Sequence, residues 1–464
     1  MRIPIGAAIV TAIIAGLVVV VAGQALLTPS RPLILDAAFA PETISPNADG
    51  VDDVTLFRYS LSRGAQVTIS LEGQDGALFY FRRDEPRAAD NYEVAFSGVV
   101  DGFLIPGETV AGEVLRRLIP DGDYTWRLTA TDAETGETAE TSGVLRVQGG
   151  DAPLPDLTEF SVFPDVFTPN QDGVSDRTEI NVFLTKPADL AVYLEQDGIE
   201  PIYLSQRLED IRPNEAGRHR YDYDGGVDLN ANPPPDGEYS VVAIAQDAVG
   251  QRVRRTASLT IQNGGKPLAQ IVPQPIGVTV VFEAQPYDER YAADREQPGE
   301  LIAPPDDPQS LAQTPIMLPV GDLLVFKLTV ENYSEVPIRT TGPEPGTVYE
   351  WEQRAATLGW FEEAGAWRVA IDCTTAASDY PWRWSLGTAD NLETGIDPVT
   401  GREYLYLPPG ERSVVWGAVR MTQLEALNPQ NCWAGLIHEF VEVSTRNNNV
   451  GARQVFLVDA EAGN

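Results

Sequence analysis

The sequence is poor in the residues that most often carry enzyme chemistry. Its 464 residues include only two cysteines and two histidines, His219 and His438. A CxxC pair and a cysteine–histidine cluster are both missing, which argues against a zinc site of the usual kind. A nucleophile elbow, an HExxH motif, a Walker A loop and a dinucleotide-binding fingerprint are missing as well. We therefore expect a protein that is not an enzyme.

Basic residues are scarce compared with acidic ones. The chain has 33 lysines and arginines against 68 aspartates and glutamates, for a formal net charge of -35. Such a surface repels the phosphates of nucleic acids and of anionic lipids, so we expect no nucleic-acid partner. The charge favours solubility and the binding of cations. A solvated acidic surface without a specific partner is the simpler interpretation.

The two cysteines, Cys373 and Cys432, both lie in the last third of the chain. In an exported protein such a pair predicts one disulfide. It would close a loop of about 60 residues, and the loop-entropy argument gives it about 4 kcal/mol of stabilisation. Two unrelated buried thiols are the alternative.

One long hydrophobic run is present, at the amino terminus. The residues from Ile5 to Leu27 are uncharged and almost wholly apolar, enough for a helix across the roughly 30 Å core of a bilayer. The run exceeds the apolar core of a usual signal peptide, so we predict an uncleaved anchor. Small residues from Ala22 to Ala25 leave cleavage as the alternative. With Arg2 before the run, the amino terminus is expected in the cytoplasm and the rest of the chain outside the cell membrane.

Beyond this run the chain contains an internal repeat. The segment Ser45-Pro-Asn-Ala-Asp-Gly-Val-Asp-Asp53 returns as Thr168-Pro-Asn-Gln-Asp-Gly-Val-Ser-Asp176, and strand-like alternation of apolar and polar residues follows each copy. Each copy ends with a second shared motif, Asp121-Gly-Asp-Tyr124 or Asp236-Gly-Glu-Tyr239, before a late strand. A repeat of this length indicates a duplicated domain. Short strands with frequent turns indicate antiparallel sandwiches.

We therefore predict an all-β protein. Three tandem antiparallel β-sandwich (Ig-like) domains are expected after one N-terminal transmembrane helix. The predicted boundaries are 1–32 for the helix and a short linker, 33–150 for the first repeat, 151–265 for the second repeat, and 266–464 for a tryptophan-rich C-terminal segment with insertions.

The motifs of both repeats resemble the Ig-like module of the flagellar hook-capping family. The Pro-Asn-x-Asp-Gly-x-x-Asp loop before a strand, and Pro-x-Asp-Gly-x-Tyr before a strand that ends in Ala-x-Asp, carry the resemblance. The fuller match runs from Tyr221 to Tyr239, with Tyr223 where the family usually has tryptophan. The amino-terminal segment of hook-capping proteins is missing. The resemblance therefore implies the fold of the module and not a flagellar role.

The C-terminal segment resembles bacterial cell-adhesion-related Ig-like domains. The resemblance rests on Asn332 at the end of a strand, on a Pro-Gly turn at Gly410 and on the Asn-Asn pair at Asn447. Seven of the eight tryptophans lie in this segment, and Trp382 and Trp384 fall on the same side of an extended strand. An exposed pair would stack on a sugar or anchor a protein partner. For each tryptophan taken singly, packing in the core is the favoured interpretation.

The repeated loops carry oxygen-bearing side chains at alternate positions. The spacing is similar to that of calcium-binding loops, so a weak Ca²⁺ site is one interpretation. The other is a turn in which Asn and Asp accept backbone N–H groups two residues on and glycine has positive φ. The candidate ligands are Ser45, Asn47, Asp49 and Asp53 in the first repeat, and Thr168, Asn170, Asp172, Asp176 and Glu179 in the second.

These features predict a membrane-anchored, extracytoplasmic and non-enzymatic protein that serves as a structural, adhesive or assembly component of the cell surface. One alternative is a carbohydrate- or cell-wall-binding protein that uses the tryptophan-rich segment. The other is an accessory subunit of a membrane protein complex. The expected partners are accordingly the membrane, other surface or membrane-complex proteins, or cell-wall polysaccharide. Calcium is the only cofactor left open.

Overall fold

The computed structural model describes residues 10, 13–19, 31–207, 211–311, 314–397, 399–443 and 447–459. Val10 and residues 13–19 are helical. Among the described residues no helix is long and apolar enough to cross a membrane. Ile5 and Leu27, the predicted ends of the anchor, lie outside the described residues. From residue 31 onward nearly all regular structure is β-strand, which confirms the predicted all-β class.

The strands of the first repeat alternate between core and solvent. Phe57, Tyr59 and Leu61 face inward from one strand and pack with Trp126 in a shared core, as the two-residue period of a half-buried strand requires. In the described part of this repeat the strands are β1 (Ile34–Ala40), β2 (Thr43–Ile44), β3 (Thr55–Leu61), β4 (Ala65–Gly73), β5 (Leu78–Arg87), β6 (Asn91–Phe96), β7 (Val99–Asp101), β8 (Glu113–Leu118), β9 (Gly122–Asp132) and β10 (Thr138–Val147). One sheet has the order β1-β3-β6 and the other β2-β10-β9-β4-β5.

The second repeat has the same plan and its own core. Ile180, Val182 and Leu184 alternate inward from the strand that follows the repeated loop. Its described strands are β11 (Leu157–Phe163), β12 (Val166–Phe167), β13 (Thr178–Leu184), β14 (Asp189–Gln196), β15 (Ile199–Tyr203), β16 (Gly217–Tyr223), β17 (Gly237–Gln246) and β18 (Arg252–Ile261), with a 3₁₀ helix at Val227–Leu229. The smaller sheet has the order β11-β13-β16.

A hairpin from the first repeat completes the larger sheet of the second. The order of this sheet is β15-β14-β17-β18-β8-β7, and β12 also pairs with β18. Val253 and Arg254 in β18 pair antiparallel with Val114 and Glu113 in β8. Beside this pairing, the buried side chain of Gln251 accepts the N–H of Leu118 at 3.3 Å. The two repeats are thus joined through one continuous sheet.

The C-terminal segment has the largest core. Two further 3₁₀ helices span Glu289–Tyr291 and Ala355–Leu358. Within its described residues the strands are β19 (Ala269–Val272), β20 (Val280–Gln285), β21 (Ile316–Pro319), β22 (Leu323–Asn332), β23 (Ile338–Thr340), β24 (Val348–Glu350), β25 (Trp367–Cys373), β26 (Trp382–Trp384), β27 (Glu393–Ile396), β28 (Glu403–Leu407), β29 (Arg412–Arg420), β30 (Gln430–His438), β31 (Glu442–Val443) and β32 (Val450–Val458). One sheet contains the strand order β19-β22-β29-β24. The other contains the order β21-β32-β30-β25-β23-β28-β27.

The prediction of antiparallel sandwiches needs a correction at five strand pairs. Most neighbouring strands are antiparallel, but β2–β10, β12–β18, β21–β32, β23–β25 and β24–β29 are parallel. In the first repeat the reason is visible in the chain path. Only Pro41 and Glu42 separate β1 from β2, and these two strands belong to different sheets. The chain therefore crosses between sheets without reversing its direction, which leaves β2 parallel to the strand it meets.

Candidate functional site: the repeated loop and the face that receives it

The loop of the first repeat is closed by one carboxylate. Asp53 accepts the backbone N–H groups of Asn47 at 3.0 Å and of Ala48 and Gly50 at 2.7 Å. Gly50 has a φ of 89°, a conformation that favours glycine because it has no Cβ. A single ionised side chain thus accepts three N–H donors of the turn, of which that of Asn47 also donates to the carbonyl of Ser45 at 2.9 Å.

Two further polar side chains of this loop act over a shorter range. Asn47 Oδ1 accepts the N–H of Asp49 at 3.0 Å, and Asp49 Oδ1 accepts the N–H of Val51 at 2.8 Å. Each bond spans two residues, as the turn interpretation of the motif predicts. Ser45 contributes its backbone, since its N–H donates to the carbonyl of Asp52 at 2.8 Å.

The loop of the second repeat repeats these bonds. Asp176 accepts from Asn170 and Asp172 at 3.2 Å and from Gly173 at 2.6 Å. Asn170 Oδ1 in turn accepts from Asp172 at 3.1 Å, and Asp172 Oδ1 accepts from Val174 at 2.7 Å. The two sequences therefore share the Asn, Asp and Gly positions because these residues build one and the same turn.

The bonds bear directly on the calcium interpretation. The carboxylate and amide oxygens already face N–H donors, and the hydroxyl of Thr168 donates to the carbonyl of Val174 at 2.7 Å. Glu179 lies in β13, where it accepts from Asn181 Nδ2 at 2.8 Å. In the part of the chain that the structure describes, no group of three or more His, Cys, Asp and Glu side chains is placed to hold a metal ion. The geometry favours the turn, and calcium binding stays a prediction.

The second motif that the two repeats share, Asp-Gly-x-Tyr, also forms hydrogen bonds to the backbone. Asp121 accepts the N–H groups of Gly149 at 2.7 Å and Gly150 at 3.1 Å, and the hydroxyl of Tyr124 donates to the carbonyl of Pro120 at 2.6 Å. Asp236 and Tyr239 make the equivalent bonds in the second repeat, to Asn263, Gly264 and Pro235. The acidic residues that recur in both copies thus hold backbone in place.

The two loops differ in their surroundings. Val51 at the tip of the first loop is 64% exposed, whereas its counterpart Val174 is only 6% exposed. A Cβ added to Gly50 would meet nothing within 4 Å, but one added to Gly173 would lie 1.9 Å from the carbonyl oxygen of Ala364. The second loop is therefore packed backbone to backbone against the C-terminal segment, while the first faces solvent.

Three side chains of the C-terminal segment bind Gln171 and Asp172 of the second loop. Arg339 Nε donates to the carbonyl of Asp172 at 2.5 Å, and His438 Nε2 lies 2.7 Å from the carbonyl of Gln171. Since a carbonyl accepts, Nε2 of this histidine carries the proton. The hydroxyl of Tyr406 donates to Asp172 Oδ2 at 3.2 Å. We call these three residues the docking face.

The central guanidinium of the docking face is itself fixed. Arg339 is 2% exposed and donates to the carbonyl of Ala364 at 2.6 Å and to the carboxylate of Glu363 at 3.0 Å. At the edge of the joint, the hydroxyl of Ser175 donates to Asp397 at 3.1 Å. The interface is thus a set of satisfied polar bonds, which is the condition under which buried polar groups stabilise a contact.

Docking changes the electrostatics of otherwise equivalent carboxyls. Burial alone would raise the pKa of Asp53, but N–H bonds led by that of Gly50 outweigh it, so this pKa lies below its usual value. In the docked loop burial raises the pKa of Asp172 to about 6, and burial together with the charge of Asp172 raises the pKa of Asp176 to about 7. Burial also lowers the pKa of His438 to about 4.

The sequence contains no local signal for Arg339, Tyr406 or His438 as partners of the loop. A histidine on its own is uninformative, and the three residues are spread over 100 positions of the C-terminal segment. A tight turn with glycine also forms without contact to another segment, since nothing lies within 4 Å of a Cβ at Gly50 in the first repeat. Only the duplication, with one exposed and one buried copy, makes the docking recognisable.

The remaining predicted site residues have clear outcomes. Cys373 and Cys432 form the predicted disulfide across β25 and β30. Trp382 and Trp384 are 1% and 0% exposed, so they pack in the core, as the interpretation favoured for each tryptophan has it, and the candidate recognition surface at this pair is not formed. Trp384 packs edge to face against Phe326, and its indole N–H donates to a backbone carbonyl. These large apolar rings fill the core between the two sheets.

Comparisons with known proteins assign the chain to no family. No family model and no curated protein matches the sequence. Among solved structures, a mutant of Salmonella alpha-2-macroglobulin is 13% identical over 93% of this chain with a TM-score of 0.19, and the match spans 23% of that protein's chain. The chicken CNTN1 FN1-FN3 domains are 8% identical over 91% of this chain and 98% of their own, with a TM-score of 0.18.

Proposed function

We propose that the protein is a membrane-anchored, extracytoplasmic and non-enzymatic component of the cell surface. Three tandem Ig-like sandwich domains, one for each repeat and one for the C-terminal segment, act together as a rigid structural, adhesive or assembly element. The anchor is the apolar run from Ile5 to Leu27. The observation that carries the proposal is the docking of the second loop on Arg339, Tyr406 and His438.

The contacts between the second loop and the docking face make the connection between the two segments rigid. A flexible linker needs no buried polar bonds, because its residues are solvated and move independently. Here the carbonyls of Gln171 and Asp172 are bound by side chains of another segment, and Gly173 approaches its backbone too closely for any Cβ. Such a joint holds the two segments at one angle, as a spacer or scaffold requires.

The joint between the two repeats has a different construction with the same effect. There the β7–β8 hairpin adds to the edge of β18. Backbone pairing of this kind fixes register and direction along the whole contact. Lys186 fixes the first residue of the second repeat to the body of that repeat, with its ammonium 2.5 Å from Asp151 and 2.9 Å from the buried Asp247. Both joints therefore favour one stiff arrangement.

The anchoring is tested in intact bacterial cells that produce the full chain with a tag at its amino terminus. We expect the chain in the membrane fraction, and protease added outside the cells should remove the segments after residue 31 and leave a short tagged fragment. A chain recovered from the soluble fraction, or one that the protease does not reach, would contradict the proposal.

The stiffness is tested by single-molecule energy transfer in the full chain. Labels at Tyr203 and Leu427, which are 69% and 51% exposed, report on the second repeat and the C-terminal segment. A single narrow distance distribution is expected. A broad distribution would mean that the segments move independently, which the proposal does not allow.

A further inference from the structure

One sheet edge of the first repeat is open where the matching edge of the second repeat is covered. The pair β9–β10 has the same register as the pair β17–β18, so Thr138 corresponds to Arg252 and Glu140 to Arg254. From Arg252 to Arg254 the strand β18 pairs with β8. Among the described strands, β10 pairs with β9 and, at its last two residues, with β2 alone. The edge from Thr138 to Glu140 thus has no described strand beside it.

The backbone amide of Glu140 points toward this open edge. At the far end of β10 the N–H of Arg146 donates to the carbonyl of Glu42 at 2.8 Å, on the side away from β9. The N–H of Thr260 in β18 makes the equivalent bond to Asp165 at 2.7 Å. Successive amides of a strand alternate in direction, and an even number of positions separates Glu140 from Arg146. A row of N–H and C=O groups that face outward is a template on which an extended chain can pair.

The side chains show the same difference between the two repeats. Val253 lies opposite Val114 of β8 and is 0% exposed. Its counterpart Ala139 packs against the core of the first repeat but is only partly buried. The first strand of each repeat does not account for the difference, because β1 lies against β10 as β11 lies against β18. An apolar side chain opposite Ala139 would complete the cover.

The charge at the edge selects the kind of strand that can pair there. In the joint between the repeats Arg254 lies opposite Glu113, whereas the first repeat has Glu140 in place of this arginine. The Glu140 carboxylate is exposed and accepts from Arg127 at 2.6 Å through Oε1. Opposite charges that face each other across two strands attract, and like charges repel. A strand that pairs here therefore needs a lysine or arginine opposite Glu140, and the net charge of -35 attracts such a basic segment from a distance.

The open edge lies at the end of the first repeat where the chain enters. Arg63 joins the two, since its guanidinium donates to the carbonyl of Arg31 at 2.8 Å and to the carboxylate of Glu137 at 2.9 Å. Glu137 directly precedes the edge residue Thr138. A partner that reaches this edge therefore stands at the amino-terminal end of the repeat, which is the end that the proposed anchor places next to the membrane.

We propose that the edge of β10 from Thr138 to Glu140 binds an extended segment of a partner protein as an added antiparallel strand, with a basic residue opposite Glu140 and an apolar residue opposite Ala139. The pairing of β8 with β18 is the template for this contact. Strand addition of this kind takes its affinity from the backbone and its specificity from alternate side chains. A second copy of this chain fits less well, because two β10 strands that pair antiparallel would point two anchored chains in opposite directions. The site gives the proposed assembly role its mode of binding, and in that sense it rests on that role.

The test uses two synthetic peptides as probes, one that copies residues 109–120 around β8 and one that carries Glu113→Lys in the same sequence. Isothermal titration of the detergent-solubilised full chain measures their affinities. We expect the lysine peptide to bind at least about threefold more tightly, since it meets an opposite charge at Glu140. Glu140→Lys should reverse this preference. Glu140→Pro removes the outward N–H and should weaken the binding of both peptides at least about tenfold.

Glu72→Lys is the matched control. The Glu72 carboxylate also pairs with Arg127, at 3.5 Å, but it lies in β4, which has β9 and β5 on its two sides. The substitution changes the net charge by the same amount as Glu140→Lys and should leave the preference for the lysine peptide as it is. Hydrogen–deuterium exchange of the same samples locates the bound peptide, which should slow the exchange of the amides of residues 138–140.

Three results would overturn the proposal: neither peptide binds at a concentration of about 1 mM, both bind equally, or Glu140→Pro binds them like the unaltered chain. If Glu140→Pro proves unfolded, Glu140→Lys decides the matter, because a reversed preference requires this residue at the contact. Failure here leaves the protease and energy-transfer results untouched, so the strand-binding edge and the anchored, stiff scaffold stand or fall separately.

Discussion

Asp172 and Tyr406 lie 234 positions apart in the sequence, and the Tyr406 hydroxyl donates to Asp172 Oδ2 at 3.2 Å. The other carboxylate oxygen of Asp172 accepts the N–H of Val174 at 2.7 Å and so closes the turn. One side chain therefore joins a local turn to a contact between two segments. In the first repeat Asp49 makes the turn bond to Val51 alone.

The close backbone approach at Gly173 predicts the effect of a single methyl group. Gly173→Ala would place a Cβ 1.9 Å from the carbonyl oxygen of Ala364, so the loop must withdraw from the docking face. We expect a loss of roughly 3 kcal/mol or more in the unfolding of the second repeat, from positive-φ strain and lost polar contacts together. Chemical denaturation of the full chain, followed by fluorescence, measures it.

Gly50→Ala is the matched control for this substitution. The two glycines have φ values of 89° and 79°, so both variants pay a similar backbone cost of about 1 kcal/mol. Nothing lies within 4 Å of the Cβ at Gly50. If the two substitutions cost the same, the close contact at Gly173 contributes nothing and the docking is not a stabilising joint.

The buried carboxyls make the joint sensitive to pH. The pKa values of Asp172 and Asp176, about 6 and about 7, lie above the ordinary 3.8. The folded state holds these protons more tightly than the unfolded state. The stability they contribute is thus fully present below pH 3.8 and is lost as the pH rises through about 7. The pKa of His438 falls from 6.5 to about 4, which works in the opposite direction and offsets part of this loss.

Asp172→Asn isolates one of these carboxyls. Without the ionisation at this position, the variant should gain roughly 3 kcal/mol relative to the unaltered chain between pH 4 and pH 8. Urea unfolding at a series of pH values measures the difference, which includes the accompanying fall in the pKa of Asp176 once the charge of Asp172 is removed. Asp49→Asn in the exposed loop is the control and should follow the unaltered chain. Parallel curves for Asp172→Asn would contradict the burial of this carboxyl.

The disulfide is expected to stabilise the C-terminal segment by constraining the unfolded chain. Cys373 and Cys432 are 3% and 0% exposed, so a reductant should not reach the bond in the folded chain. Replacing both cysteines with alanine should cost about 4 kcal/mol through the freed loop of the unfolded chain. Denaturant unfolding of the C-terminal segment within the full chain checks this, with the unaltered chain unfolded under reducing conditions as the control. Equal stability of all three samples would contradict it.

Calcium distinguishes the two interpretations of the repeated loops. Because the Asp53 carboxylate accepts three backbone N–H groups, we expect calcium to shift the melting of the repeats by no more than about one degree. Differential scanning calorimetry of the full chain with calcium and with chelator measures this, and Asp53→Asn serves as the comparison. A rise of several degrees that this substitution abolishes would restore the metal site.

Much of each repeat could be predicted from its sequence because the determinants are local. Alternation places Phe57, Tyr59 and Leu61 in a half-buried strand, and the Asn-Asp-Gly spacing defines the turn. The bond between His438 and Gln171 spans 267 positions, and no periodicity encodes such a contact. The sequence left two interpretations open for Trp384, the core and an exposed face, because a strand pattern shows that two side chains share a face and not what covers that face.

Hydrogen–deuterium exchange of the full chain tests the docked joint most directly. The amides of residues 172–174 and 49–51 make matching bonds inside their loops, apart from a second acceptor, Asp176 Oδ1, for the N–H of Asp172. A difference between Gly173 or Val174 and its counterpart therefore reports the docking face. We predict that the amides of residues 172–174 exchange at least about tenfold more slowly than those of residues 49–51. Equal exchange at the two loops would contradict the account, since it would mean that the second repeat and the C-terminal segment are not held together.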